Sequence, residues 1–461
     1  MSFATLNLNP ELLRAVDRLG FTEPTPIQLQ AIPPVLAGRD VLACAMTGSG
    51  KSAAFLLPIL HRLMGTRRGT TRVLVLAPTR ELAAQITEHC GELAALTPLS
   101  SAAIFGGVPM SPQVQAFRRG VDVLVATPGR LLDHFSNSYA RLEGLEYLVI
   151  DEADRMLDMG FLPDIRRILK VLPTRRQTLL FSATIPAPIA QLAREMLHEP
   201  TVIDVGRPSA PATGVTQSVF AVRSDLKSSL LLELLRTDEI GNVLVFTRTK
   251  HRANRLAEFL SRHGVACDRI HGNRSQAQRT AALAAFKRGH TRVLVATDIA
   301  ARGIDVEALS HVVNFDVPVV PDDYIHRIGR TGRAAATGDA WTFVGEHEEN
   351  DFNAIEKAIG RRVPRRKVAG FDYDRRAAER LEIPVAERLA ALRAQRAQER
   401  ANRSRREGTV RTGRPAGAGR GQTAPSRGPS PSGGRGASGG RGGQRPRVAL
   451  KSSSDKSARR G

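Results

Sequence analysis

Two short stretches carry residue types that could do chemistry on a phosphate. The first is Ala45-Met46-Thr47-Gly48-Ser49-Gly50-Lys51-Ser52. Its glycines let backbone N–H groups converge on an anion. Lys51 would reach the β and γ phosphates of a nucleotide, and the Ser52 hydroxyl would ligate Mg²⁺. Ala45 stands where the general pattern has glycine, and a Gly-rich turn between strand and helix is the plain alternative. The second stretch lies about a hundred residues on, where the apolar run Leu145–Ile150 delivers Asp151-Glu152-Ala153-Asp154. Two adjacent acids at the end of a strand suit nucleotide hydrolysis. Asp151 would hold Mg²⁺, partly through water, and Glu152 would orient and deprotonate the attacking water. Alone, that tetrapeptide reads as a surface turn; together with the phosphate loop, the hydrolytic reading wins.

These residues need strands to carry them and helices to follow. Short apolar runs recur at Val41–Ala45, Arg72–Ala77, Val121–Ala126, Leu145–Ile150 and Thr178–Phe181. Helix-patterned stretches such as Glu81–Leu96 and Asp164–Val171 separate them, which implies parallel βαβ units. Runs that are apolar at nearly every position fit strands covered on both faces. Around 207–214 the composition turns to that of a linker, Arg-Pro-Ser-Ala-Pro-Ala-Thr-Gly. The alternation restarts with Asn242–Phe246, Arg292–Ala296, His311–Phe315 and Asp339–Val344. The expectation is an α/β chain with two tandem parallel-sheet lobes, at 31–206 and 215–364, and a tail from 365.

With these motifs in place, the sequence resembles the DEAD-box family of RNA helicases over residues 1 to about 345, and within it the bacterial RhlE-type branch. The resemblance implies two RecA-like lobes, ATP and Mg²⁺ as cofactors, and RNA as partner. Phe3 with Gly20-Phe21-Thr22-Glu23-Pro24-Thr25-Pro26-Ile27-Gln28, within residues 1–30, resembles the adenine-reading element. By that likeness Gln28 pairs with adenine, Phe3 stacks on it and Phe21 belongs to the same pocket. The loop residues Thr47, Gly48, Ser49, Gly50, Lys51 and Ser52 take the phosphates. Pro78-Thr79-Arg80, Gly106-Gly107 and Thr127 with Arg130 are similar to the elements that grip the RNA backbone in lobe 1. Ser182, Thr184 and Asp154 correspond to those that couple nucleotide state to RNA grip. In lobe 2, Thr247, Gln276, Arg279, Thr297, Arg302 and Gly303 match RNA-contacting positions, and Asp305 the ribose contact. In Tyr324–Arg333, arginines spaced by three lie along one helical side; Arg330 and Arg333 are implied as arginine fingers, and His326 as an interface residue near the γ-phosphate. Met46 stands where the family often has Gln, and Ser52 where it often has Thr; both hydroxyls can ligate Mg²⁺.

Composition agrees with a nucleic-acid partner. Residues 361–461 hold about +19 of the +22 net charge, leaving about +3 for residues 1–360. The basicity therefore belongs to an appendage. That appendage is rich in Arg, Gly, Ser and Pro, with Gly-Gly-Arg-Gly at 433–436 and 439–442 and a helix candidate at 384–402. Too little of it is apolar to offset ordering entropy, so a disordered tail that tethers RNA is expected. Cys44, Cys90 and Cys267 are odd in number and not spaced as metal ligands. No apolar run is long enough to span a bilayer. A cytoplasmic protein with a monomeric core is expected, with RNA-decay or ribosome-assembly proteins as candidate partners. An ATP-gated RNA clamp or a tail-driven annealing chaperone would share the same core as an unwinding enzyme.

Overall fold

The computed structural model describes residues 2–46, 48–66, 68–205, 214–236, 240–301, 309–332 and 337–375. Thr47, Arg302, Gly303, Asp305, Arg333, most of the linker and the chain from 376 onward lie outside them.

Lobe 1 is built on seven parallel strands: β1 (Val41–Cys44), β2 (Val73–Leu76), β3 (Ser101–Ile104), β4 (Val123–Ala126), β5 (Tyr147–Ile150), β6 (Gln177–Ser182) and β7 (Thr201–Asp204). Their order is β3-β4-β2-β5-β6-β1-β7. β2, β4 and β5 are buried at every residue. Helices cover both faces, so each successive side chain finds an apolar neighbour. Val73 and Val75 pack with Phe55 and Phe181 on one face. Leu74 and Leu76 pack with Leu131 and Met156 on the other.

Lobe 2 has six parallel strands: β8 (Val215–Ala221), β9 (Val243–Thr247), β10 (Cys267–Ile270), β11 (Val293–Thr297), β12 (His311–Asn314) and β13 (Gly338–Val344). Their order is β10-β11-β9-β12-β13-β8. Counted from its own first strand, each lobe runs 3-4-2-5-6-1, so the second sheet repeats the first without its last strand. Because all strands are parallel, the loops that follow them emerge at one edge of each sheet. The chemistry-bearing segments of each lobe are gathered there.

The tail does not begin at 365. Val219 N–H donates to Pro364 O (2.9 Å), and Arg366 N–H donates to Val219 O (2.8 Å), so the chain lies along the open edge of β8. Phe371 then buries its ring in the lobe 2 core with Phe220 and Trp341. The run of cations at 361–367 signals a tail by composition. A short edge pairing and two aromatic anchors, Phe371 and Tyr373, leave little mark on it.

Among the described residues, no helix is long and apolar enough to cross a membrane.

Candidate nucleotide and RNA sites

β1 ends at Cys44, and the loop after it turns into the helix Lys51–Leu63. Gly48 (φ 80°) and Gly50 (φ 91°) adopt left-handed backbone that other residues rarely take. A Cβ on Gly50 would sit 2.6 Å from Gln28 Nε2 and 2.9 Å from Thr25 Oγ1. The segment before the helix Pro26–Leu36 is thus packed directly on the phosphate loop. Gln28 Nε2 donates to Gly50 O (3.2 Å), and Gln28 Oε1 accepts from Thr25 N–H (2.9 Å). One amide N–H and one lone pair of Gln28 stay spare, which is what pairing with one edge of adenine needs.

Lys51 is 5% exposed, and its Nζ has no hydrogen-bond partner; Asp151 Oδ1 is 3.7 Å away. β5 delivers Asp151 and Glu152. Asp151 Oδ1 accepts the Glu152 N–H (2.9 Å), and Glu152 sits at φ 54°, ψ 53°. A left-handed glutamate is strained, and such strain persists where the surroundings over-determine it. Burial pushes the Asp151 carboxyl up to about 6, against the pull of the Lys51 cation. A buried ammonium without an acceptor facing a cavity fits a polyphosphate. A buried acid held above its ordinary range fits a site that takes a cation.

The cavity has a volume of about 600 Å³, within the usual ligand range. Phe21, Gln28, Gly48, Gly50, Lys51, Ser52, Asp151 and Glu152 line it from lobe 1, and Arg330 lines it from lobe 2. Ser49 stays with the loop, its hydroxyl donating to Met46 O (2.7 Å). Phe3 is elsewhere: it is buried in the lobe 1 core with Leu12 and Ile27. The ring offered at the cavity wall is that of Phe21.

Behind the acids, Asp154 Oδ2 accepts from Thr184 N–H (3.0 Å) and Thr184 Oγ1 (3.2 Å). Ser182 Oγ accepts from Asp154 N–H (3.1 Å) and donates to Thr184 O (2.7 Å). The end of β6 is thereby tied to the start of the helix Ala153–Asp158. Arg155, which the sequence did not single out, reaches lobe 2 with Nη1 3.1 Å from Asp323 Oδ1. His326 lines a small cavity with Arg155, Asp323 and Arg330. Burial and the Arg155 cation push its imidazole down to about 3, so it is neutral.

The arginines spaced by three do not lie along one helical side. The helix Pro321–Ile328 ends before Arg330, and Arg327 is structural. Its guanidinium clamps Asp298 (2.6 and 2.7 Å) and also donates to Asn314 and Asp316 O. It holds the segment after β11 in place.

Several expected RNA contacts are engaged with protein. Pro78 is buried, and Thr79 caps the helix Arg80–Leu93, accepting from Leu82 N–H (3.2 Å). Arg80 lies against the next element: a Cβ on Gly107 (φ 82°) would fall 2.0 Å from Arg80 Nη1. Thr127 starts the helix Pro128–Phe135 without a side-chain cap bond. Arg130 donates to Phe105 O (3.2 Å) and Val108 O (2.8 Å). In lobe 2 Thr247 is fully buried, its hydroxyl turned to Thr249 O and Ala296 O rather than outward. Gln276 Nε2 donates to Glu81 Oε1 (3.0 Å), and Arg279 Nη2 lies 2.9 Å from Glu81 Oε2. Both bridge the lobes. Thr297 is half-buried at the end of β11.

Fold and cavity define a two-lobed phosphate-loop ATPase. Residues 25–192 match the family model described as DEAD/DEAH box helicase, and residues 226–335 match that of the helicase conserved C-terminal domain. The DEAD-box ATP-dependent RNA helicase CshA of Geobacillus kaustophilus (strain HTA426) is 41% identical over 382 residues, which are 83% of this chain and 82% of that protein. The structure of S. cerevisiae Dbp5 bound to RNA and ADP BeF3 is 32% identical with a TM-score of 0.72, covering 79% of this chain and 95% of that one. That of Mss116p bound to ssRNA and AMP-PNP is 26% identical with a TM-score of 0.72, covering 80% of each chain. The chain belongs to the DEAD-box ATP-dependent RNA helicases, enzymes that hydrolyse ATP. The bacterial relative carries the CshA name rather than that of the RhlE-type branch.

Proposed function

We propose that lobe closure around ATP and RNA assembles the hydrolytic site, and that hydrolysis releases the strand after local unwinding of a short duplex. The observation that carries this is one cavity lined by Lys51 and Glu152 from lobe 1 and Arg330 from lobe 2. Gln28 and Phe21 hold the base, and Lys51 takes the β and γ phosphates. Asp151 and Ser52 would hold Mg²⁺, whose chemistry is to neutralise charge on the phosphate oxygens. Glu152 accepts the proton of the attacking water, and Arg330 stabilises charge on the transferring group. Arg333 and Asp305 belong to the same reading by their sequence positions.

Arg80, the Gly106–Gly107 loop and the spare donors of Arg130 hold sugar and phosphate, which fixes the strand without reading its sequence. The Asp154–Ser182–Thr184 bonds link that grip to the acids. ATP and RNA then favour each other's binding, as linkage requires. The enzyme works in the cytoplasm on this reading, which the three free cysteines support. The basic chain from 376 onward tethers RNA through counterion release.

The test is steady-state ATP hydrolysis with and without RNA, for the full chain and for a chain ending at 375. RNA stimulation of both, with the truncation raising mainly the RNA concentration needed, is the expected result. Stimulation of neither, with the full chain still annealing RNA, would move the main activity to the tail.

A further inference from the structure

The segment 105–109 around Gly106–Gly107 is held from below by side chains outside every family motif named above. Gln113, on the helix Met110–Arg119, is 5% exposed. Its Nε2 donates to Phe105 O (3.1 Å) and Pro109 O (3.2 Å). Both of its N–H groups are then used, so its Oε1 must accept. The group 3.2 Å from Oε1 is His134 Nε2, and His134 is fully buried on the helix Pro128–Phe135. Nε2 therefore carries the proton. In the neutral ring Nδ1 is then an acceptor, and the Tyr139 hydroxyl, 2.9 Å away, donates to it. Burial and the Arg130 cation hold the imidazole below its ordinary range, which keeps it neutral. The Phe117 ring closes the site, 5.1 Å from the His134 ring and 6.0 Å from that of Tyr139. The chain of bonds has one consistent direction and no spare member.

The geometry has a consequence for the loop. Phe105 O is held inward by both Gln113 and Arg130. Across a planar trans peptide, the following N–H, that of Gly106, points the opposite way, out of the core. A backbone amide aimed outward beside Arg80 is a phosphate donor. The helix that carries His134 begins directly after Thr127 and contains Arg130. The same bonds thus fix the two gripping elements relative to each other.

We propose that Gln113, His134 and Tyr139 are positioning residues for the RNA grip: they touch no RNA, and they set the Gly106–Gly107 loop and the Thr127–Arg130 turn in binding register. This rests on the reading that the loop grips RNA.

The test uses the full chain and measures the RNA concentration for half-maximal ATP hydrolysis, the turnover at saturating RNA and the ATP KM. Gln113→Met keeps the volume and removes the donors; the RNA requirement should rise about tenfold, with turnover and ATP KM within about twofold. Gln113→Glu should be worse, because a carboxylate would face two carbonyl oxygens. Tyr139→Phe should raise the requirement by about two- to threefold. Selective ¹⁵N-histidine NMR should show His134, identified as the signal lost in His134→Gln, as the neutral Nε2–H tautomer. An RNA requirement unmoved by Gln113→Met, or an Nδ1–H tautomer, overturns the proposal. If Gln113→Met does not fold, Tyr139→Phe and the tautomer decide it. Gly107→Ala separates the two readings, since its Cβ collides with Arg80. If it leaves the RNA requirement unchanged, the loop does not grip RNA. If it raises the requirement and Gln113→Met does not, only the positioning role fails.

Discussion

Lys51 and Lys227 occupy the same place in two copies of one fold and have opposite fates. Each is the first residue of the helix that follows the first strand of its sheet, and each is followed by serine. Lys51 sits after Gly48-Ser49-Gly50, and Lys227 after Ser224-Asp225-Leu226. Lys51 Nζ has no hydrogen-bond partner and lines a cavity of about 600 Å³. Lys227 is fully buried, and its Nζ donates to Phe315 O and Phe343 O (2.9 Å each) and to the Glu348 carboxylate. Burial pushes the Lys227 pKa down, against the pull of Glu348 and Asp316. Where lobe 1 has a glycine at φ 91°, lobe 2 has Leu226 in its core. The scaffold thus supplies a lysine at the sheet edge in both lobes. A ligand site results only where the protein leaves the ammonium without a hydrogen-bond acceptor, its nearest carboxylate 3.7 Å off at Asp151, and keeps the backbone open around it.

The contrast can be broken by mutation. The largest effect is expected for Arg330, which with Lys287 lines the cavity from lobe 2. Arg330→Ala should lower RNA-stimulated hydrolysis by about 10³–10⁵-fold, the range for a transition-state arginine. Lys51→Met should lower it by about 10²–10³-fold, with thermal unfolding little changed. Lys227→Met should do the reverse. It leaves Glu348 buried with only the half-exposed Arg248 guanidinium, 3.5 Å from Oε1, and should destabilise lobe 2 by about 3 kcal/mol in denaturant unfolding. Hydrolysis per folded molecule should stay within about twofold. Loss of hydrolysis in a Lys227→Met protein of normal stability would mean that the second lysine also serves a ligand.

Much of this was legible in the sequence, and the limits have a physical pattern. The nine strands picked out from apolar runs are all interior strands of the two sheets. The four not picked out, β3, β7, β8 and β10, are the four sheet edges. β3 and β10 are half-exposed over three of their four residues, so their sequences, SAAI and CDRI, are not the continuous apolar runs of β2 or β5. The loop glycines, Lys51 and the acids were readable because each needs one residue type at one spacing. Phe3 misled because an aromatic near a pocket motif packs a core as readily as it stacks on a base. The bridging role of Glu81 and the roles of Arg155 and Gln113 were silent because their partners lie in other elements of the chain. Their bonds to Gln276, Asp323 and His134 exist only after folding.

Asp122 sharpens the comparison by removing the lobes from it. It is a fully buried charge in lobe 1, the lobe whose lysine lacks a hydrogen-bond acceptor, and it is as fully satisfied as Lys227. Oδ1 accepts from Arg72 (2.9 Å); Oδ2 accepts from Arg68 (3.1 Å) and from the N–H and hydroxyl of Ser100 (3.0 Å each). Burial raises its pKa, but the bonds to Arg72, Ser100 and Arg68 outweigh it and hold the carboxyl below 3.8. A depressed acid contributes stability above its unfolded pKa and loses it as pH falls through the folded one. Asp122→Asn should therefore cost about 1–3 kcal/mol at pH 7, with ATP KM and RNA requirement unchanged. The gap to the native protein should narrow only below about pH 3.8. A gap that instead closes between pH 5 and 7 would show that the Arg72 pair is not what holds the strand ends together. An altered ATP KM would show that satisfied and unmet charges are not separate populations in this fold.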